Sequence, residues 1–441
     1  MPRKDVVMKY FNEQKDYMTA RVNGGIEEHR KGSVVVEIID QNGKPVENGI
    51  LEVKQKNHEF KYGANIFLLD ELETQEKNDL YRRKFPEAFN LATIPFYWSD
   101  LEPEQGKPRY EKDSVKIYRR PATDLCVDYC LENGIEPKAH CLNYDNFLPT
   151  WLEDATVSEH KKALEKRFLE LAECYADKIP SWEVTNETFN SRWRKQSKFY
   201  FEDDFVEWSF RMADRYFPNN KLIINDYDVW QPQIITNRLA YYMQIERLIA
   251  NGVHHLDSIG FQFHCFFPRQ DEESRARLNF NPKQIYDLLD LYAKTSKRLQ
   301  ITEMTLSAYS NDEEDEEVQA ELLKNLYSIY FSHPAMEAII YWNLIDGYTA
   351  FAPQGDMTVG ENIYYGGLLR YDMSEKPAYK MIKYLFNELW RTNTSAVVNN
   401  GKAAFRGFYG DYDLIIHADE KAIPASISTS RDKHNQFKII I

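Results

Sequence analysis

Short runs of aliphatic, β-branched and aromatic residues alternate with longer amphipathic stretches eight times between residues 59 and 392. The runs cover residues 61–66, 90–94, 136–142, 182–187, 221–226, 258–264, 299–303 and 338–344. Such alternation marks successive βα units and predicts a parallel sheet. Eight units predict an α/β fold closed as a (β/α)8 TIM barrel. Polar and aromatic residues gather at the carboxyl ends of the runs: His140, Asn186, Glu187, Asn225, Asp226, Gln262, His264, Glu303 and Trp342. A barrel brings those ends together on one face, where enzymes of this fold keep their active sites, whereas a purely structural barrel would scatter them.

The flanks carry a different pattern. Residues 1–31 read as a polar helical segment. Residues 32–58 hold two β-like runs around the turn signal Asn42-Gly43 and predict a hairpin. Residues 393–441 add further β-like runs, among them 403–417 and 436–441. Neither end has enough strands to stand alone, so a small accessory β-sandwich assembled from both termini is predicted.

Composition narrows the function. The 441 residues exceed the roughly 250 of a bare barrel, which leaves room for that accessory layer. A net charge of −14 repels phosphate backbones and argues against nucleic acid as a partner. No stretch approaches the ~20 apolar residues needed to cross a bilayer, so no membrane role is expected. The first residues lack the apolar core of a signal peptide, which predicts a cytoplasmic protein unless a leader has been removed. The five cysteines form no CxxC pair and predict reduced, mostly buried thiols. Nucleotide, EF-hand and zinc motifs are absent from the sequence, so no cofactor or metal is expected. Aromatic residues make up 14%, and tyrosine and tryptophan suit the faces of sugars. The acidic run 312–317 reads as the start of a solvent-facing helix. The long aromatic loop 347–367 reads as a partial lid or a shield for the barrel rim.

Two strand-like runs, Trp182-Glu183-Val184-Thr185-Asn186-Glu187 and Leu299-Gln300-Ile301-Thr302-Glu303, each end on a glutamate. Only a closed fold brings residues so remote together. Glycoside hydrolysis uses such a pair, one carboxyl protonating the leaving oxygen and the other attacking the anomeric carbon or activating water. Gln262 and His264 share a strand face, because side chains alternate with period two, so both point inward together.

The first run resembles the W-D-V-x-N-E acid/base motif of glycoside hydrolase family 10, the retaining endo-β-1,4-xylanases, and Ile301-Thr302-Glu303-Met304 resembles its I-T-E-L nucleophile motif. Matching segments follow in order at 98–106, 140–151, 225–227, 260–264, 341–342 and 376–379, so the resemblance covers roughly residues 60–390. It implies that Glu187 is the acid/base and Glu303 the nucleophile. It also implies that Asn186 binds the sugar 2-hydroxyl, that His264 beside Gln262 hydrogen-bonds the nucleophile, that His140 contacts the sugar at the cleavage subsite, and that Trp342 forms its floor. The chemistry requires the acid to hold its proton near neutral pH and the nucleophile to stay ionised.

Departures from the family pattern cluster on one side of the expected cleft. Ile94 and Tyr97 stand where an asparagine and a lysine usually grip the neighbouring sugar, and Tyr144 and Asp145 replace a tryptophan and a histidine. Thr305 replaces the aspartate that usually partners the histidine equivalent to His264. A buried donor without its matching hydroxyl costs about 1 to 3 kcal/mol, so these exchanges alter which sugar is accepted. The resemblance therefore implies a retaining glycoside hydrolase acting on β-1,4-linked xylan or xylo-oligosaccharides. A β-glycosidase for another plant glycoside and a carbohydrate-binding protein without catalysis are the alternatives.

Overall fold

The computed structural model describes residues 2–190, 197–227, 229–230, 239–418 and 421–441. Strands β1 (Lys31–Ile39) and β2 (Asn48–His58) precede eight barrel strands: β3 (Lys61–Asn65), β4 (Leu91–Pro95), β5 (Glu136–His140), β6 (Ser181–Asn186), β7 (Lys221–Asp226), β8 (Ser258–His264), β9 (Arg298–Thr305) and β10 (Met336–Tyr341). These eight form a closed parallel barrel in which β10 pairs with β3 to complete the ring. Helices cover the outside, and local chemistry sets where they begin. Thr156 and Glu159 form a reciprocal capping box ahead of the helix Val157–Tyr175, and Asn281 caps the helix Pro282–Ala293, whose proline occupies its first turn.

Two irregularities fall just ahead of the strand-end glutamates. The pairing of β6 with β7 shifts register between Glu183 and Thr185, and that of β8 with β9 shifts between Phe261 and Gln262. A bulge adds one residue on one strand and re-aims the side chains that follow it.

The remaining strands are β11 (Asn393–Asn399), β12 (Lys402–Phe408), β13 (Gly410–Ala418), β14 (Lys421–Thr429) and β15 (Gln436–Ile440). Together with β1 and β2 they form one seven-stranded sheet in the order β14-β13-β2-β11-β12-β1-β15. Both ends of the chain build this layer, as predicted, but its strands join in one continuous sheet where a sandwich was expected, and β1 and β2 are not a hairpin. The carboxyl-terminal strands β11 and β12 lie between them, and β15 joins β1 in parallel. Alternation along β13 buries Tyr412, Leu414 and Ile416, which share an apolar cluster with Val34, Val36 and Leu51, separate from the barrel core.

The sheet meets the amino-terminal end of the barrel. His58, at the end of β2, is buried among the rings of Tyr62, Phe331, Phe386 and Phe408. Helical segments Arg3–Val7, Lys9–Glu13 and Lys15–His29 run along the barrel side. The buried guanidinium of Arg3 pairs with Glu272 at 3.0 Å and Asp315 at 3.1 Å.

That contact corrects the reading of the acidic run. The run does open a helix, Glu313–Ser332, but Asp315 and Glu316 are buried instead of solvent-facing. Arg3 and Arg269 hold Asp315, and Arg370 pairs with Glu316, so the acids pack inward with their charges matched. All five cysteines are free thiols, four of them buried. Among the described residues no helix is long and apolar enough to cross a membrane.

Candidate active site

A cleft of about 520 Å³ opens at the carboxyl ends of the barrel strands. A second cleft, of about 700 Å³, lies at the opposite end of the barrel beside the terminal sheet. There the charged side chains are largely spent on one another, as in Lys61 with Glu136 at 2.6 Å and Lys221 with Glu337 at 2.6 Å. The first cleft brings Glu187 and Glu303, from the carboxyl ends of two strands, to one space.

Glu187 follows the last residue of β6 with φ at 51°, in the left-handed region. A glutamate rarely occupies that region, and such strain concentrates where a side chain must be aimed. With the bulge before it, the turn lets Asn186 and Glu187 both face the cleft, although neighbours on a regular strand point apart. On β9 the bulge aligns Glu303 with Gln262 across the ladder.

The two glutamates are joined through amides. Gln262 Nε2 donates to Glu187 Oε1 at 3.2 Å and to Asn186 Oδ1 at 3.3 Å. Asn225 Nδ2 donates to Asn186 Oδ1 at 2.9 Å and to Glu303 Oε1 at 3.1 Å. Thr302 Oγ1 in turn donates to Asn225 Oδ1, which fixes which way that amide faces. Tyr144 Oη donates to Glu187 Oε2 at 2.7 Å, so the tyrosine standing in place of the usual tryptophan orients the glutamate directly.

Glu303 has a second partner. His264 Nε2 lies 3.1 Å from Glu303 Oε2, and its Nδ1 lies 3.1 Å from Thr305 Oγ1. The Thr305 exchange therefore leaves His264 with a partner, and a hydroxyl takes the place of the carboxylate. A threonine donating to Nδ1 leaves the Nε2 hydrogen to be given to Glu303. Burial pushes His264 down to about 4, with Glu361 and Glu187 opposing, which keeps the imidazole neutral.

Beneath the cleft a buried cluster holds His140. Glu183 bonds both Lys138 and His140 Nδ1. Burial pushes Glu183 up, but Lys138 and His140 outweigh it and bring the carboxyl down to about 2. The other nitrogen, His140 Nε2, lies 3.1 Å from Tyr97 Oη, and Tyr97 stacks on Phe147 at 4.0 Å. Trp342 packs edge-on to His140 at 5.4 Å and to Phe67 at 5.2 Å.

Glu303 differs from the expectation of a fully ionised nucleophile. Burial pushes it up to about 8, His140 opposes the shift, and the negative charges of Glu183 and Glu187 add to it. The donors Asn225 and His264 favour the carboxylate, while burial favours the acid.

The sign of this linkage gives a prediction. A folded-state value above the unfolded one of about 4.3 means that the native chain holds its proton more tightly, so stability falls as pH rises towards 8 and stays level above it. Glu303→Gln removes the titration. Relative to the parent, this variant should gain about 2 to 4 kcal/mol in unfolding free energy between pH 5 and pH 9. Denaturant melts at several pH values check it, and parallel curves for the two proteins would refute the assignment.

Nine of the ten residues expected from the sequence line this cleft: Tyr97, His140, Tyr144, Asn186, Glu187, Gln262, His264, Glu303 and Trp342. Asp145 does not. It is buried in the short turn Asp145–Phe147, with Tyr144, Asn146 and Phe147 facing the cleft around it. Sequence reasoning missed Phe67, Arg119, Arg120, Trp230 and Phe266 from loops, and Glu361 from the short helical turn Gly360–Tyr364, all lining the same cleft. Ala350 and Phe351 of the long loop after β10 also line it, with Phe351 88% exposed at the rim.

Comparison with known proteins agrees with the geometry. Residues 71–384 match glycosyl hydrolase family 10. The anti-sigma-I factor RsgI6 of Acetivibrio thermocellus is 24% identical over 407 residues, 90% of this chain, which spans only 46% of that protein's length. Endo-1,4-beta-xylanase B of Thermotoga neapolitana is 24% identical over 346 residues, covering 75% of this chain and 88% of the relative. The solved xylanase 10B of Thermotoga maritima superposes with a TM-score of 0.55 at 24% identity, over 75% of this chain and 96% of that one, and shares the fold.

Proposed function

Because the chain belongs to glycosyl hydrolase family 10, we propose that it is a retaining glycoside hydrolase acting on β-1,4-linked xylan or xylo-oligosaccharides. The observation that carries this reading is the amide chain joining Glu187 to Glu303 across one cleft at the barrel's carboxyl face. Glu303 attacks the anomeric carbon and Glu187 protonates the departing oxygen, leaving a glycosyl ester on Glu303. Glu187, now a carboxylate, takes a proton from water, which attacks the same carbon and releases Glu303. Asn186, held by Asn225 and Gln262, is placed to bind the sugar's 2-hydroxyl. Relatives titled xylanases, among them the Beta-1,4-xylanase of Dictyoglomus thermophilum at 24% identity, support the choice of sugar.

Hydrolysis of xylotriose and longer oligosaccharides, with the newly formed reducing end followed by proton NMR, tests the reading. The β anomer should accumulate first and mutarotate afterwards. Initial release of the α anomer would overturn the double displacement, and cleavage confined to gluco- or arabino-oligosaccharides would overturn the sugar.

A sugar-binding domain without turnover is the second reading. The match to a protein titled an anti-sigma-I factor over 90% of this chain favours it. Both carboxyls and their donors being in place speaks against it.

A further inference from the structure

One buried cation of the cleft, Arg119, has no ion-pair partner among the described residues. The turn Ile117–Arg120 closes through a backbone bond from Arg120 N to Ile117 O at 2.8 Å, and Arg119 sits in it with φ at 61°. That left-handed residue brings two adjacent arginines to the same wall of the cleft. Arg120 is matched: its Nε donates to Asp100 Oδ2 at 2.7 Å, and its guanidinium lies 4.1 Å over the Tyr97 ring.

Arg119 is not matched. It is 4% exposed, and among the described residues its one hydrogen bond runs from Nη1 to the carbonyl of Tyr348. Its Nε is buried with no hydrogen-bond partner, and Nη2 has none among the described residues. Nε and Nη2 form the side edge of the guanidinium, the same edge with which Arg82 grips both oxygens of Asp70 at 2.7 and 2.6 Å. Glu361 acts on Arg119 only through space, beyond ion-pair distance, and its own carboxylate accepts from Asn343 at 3.0 Å. Burial and the adjacent Arg120 both push the Arg119 guanidinium down, which expresses the cost of an unmatched buried cation.

Arg119 lines the same cleft as Glu187 and Glu303. Trp342 lies 6.3 Å from His264 and 5.2 Å from Phe67, and the Arg119 guanidinium stands 5.7 Å from the Phe67 ring centre. A buried planar fork with no partner on its side edge suits a planar anion bound bidentately. Resting on the reading of this cleft as a sugar site, we propose that Arg119 selects substrates with a glycosyl unit in this cleft that carries an anionic group, a uronic acid carboxylate being the best match to the unpartnered edge.

Calorimetric titration of the turnover-impaired Glu303→Gln variant tests this without requiring catalysis. The ligands are xylobiose, the disaccharide of glucuronic acid on xylose, and a disaccharide ending in a 6-phosphoglucosyl unit. The glucuronosyl disaccharide should bind at least 10-fold more tightly than xylobiose, and the preference should shrink as salt rises. A larger preference for the phosphosugar would keep the anion site and change the source of the charge. Adding Arg119→Met should bring the acidic-to-neutral ratio to one or below, while Arg119→Lys should restore part of it. Equal binding of xylobiose and both acidic ligands by Glu303→Gln overturns the proposal, and so does a preference that survives Arg119→Met. If Arg119→Met fails to fold, the ligand ratio and its salt dependence in Glu303→Gln decide alone. Acidic preference in a protein whose parent hydrolyses nothing would sink the enzyme reading and leave the anion site standing.

Discussion

Glu303→Ala is expected to lower kcat on xylo-oligosaccharides by at least about 10⁴-fold while the variant still binds them. The carboxylate is the only group through which the sugar is held covalently, so no neighbour substitutes for it. Asn225 and His264 each donate to this side chain. Truncation leaves both donors facing a void, at about 1 to 3 kcal/mol of lost satisfaction, without disturbing the sugar-facing rings. The void also offers a rescue. A small external nucleophile such as azide should restore turnover of an activated aryl glycoside and give a glycosyl azide of inverted configuration. Retained parental activity, or loss of binding together with turnover, would remove Glu303 from the nucleophile's role.

Glu187→Ala should separate substrates by their leaving groups. An alkoxide from a natural sugar departs only with a proton, whereas dinitrophenolate departs without one, so general acid catalysis matters to the first alone. The ratio of kcat/KM between a dinitrophenyl glycoside and an unactivated oligosaccharide should widen by at least about 100-fold in the variant. Slow turnover of the accumulated glycosyl-enzyme should appear as a burst of dinitrophenol, because the general base is missing too. Equal loss on both substrates would assign the acid elsewhere. Tyr144 and Gln262 grip the two Glu187 oxygens, so the glutamate's aim depends on side chains from two other strands' ends.

Barrel strands were legible because burial on both faces forces continuous apolar, β-rich runs. Trp182, Val184, Leu222 and Ile224 are fully buried, and their runs were located within a residue or two. Both glutamates were legible for a related reason, since a charge closing an apolar run stands out. The bulges on β6 and β9 left no such trace, because an extra residue in a ladder is defined by its partner strand. Arg119, Phe67 and Glu361 were missed because loops and short turns have no period to break. Thr305 was read as the loss of a partner. A hydroxyl is short and uncharged, but at 3.1 Å from His264 it does the joining all the same. The terminal strands were found, but their neighbours were not, because nothing local in β1 states that it will lie between β12 and β15.

That interleaving bears on how the molecule is made. Val35 pairs with Ala404 on one side and Gln436 on the other, so β1 has neither neighbouring strand until the chain has been made through the whole barrel and beyond it. Until then its alternating valines and isoleucines present an unpaired edge, the kind of surface that recruits foreign strands. Biosynthesis should therefore hold β1 in waiting, shielded by chaperones or by the helices before it, until β12 and β15 emerge and fasten it.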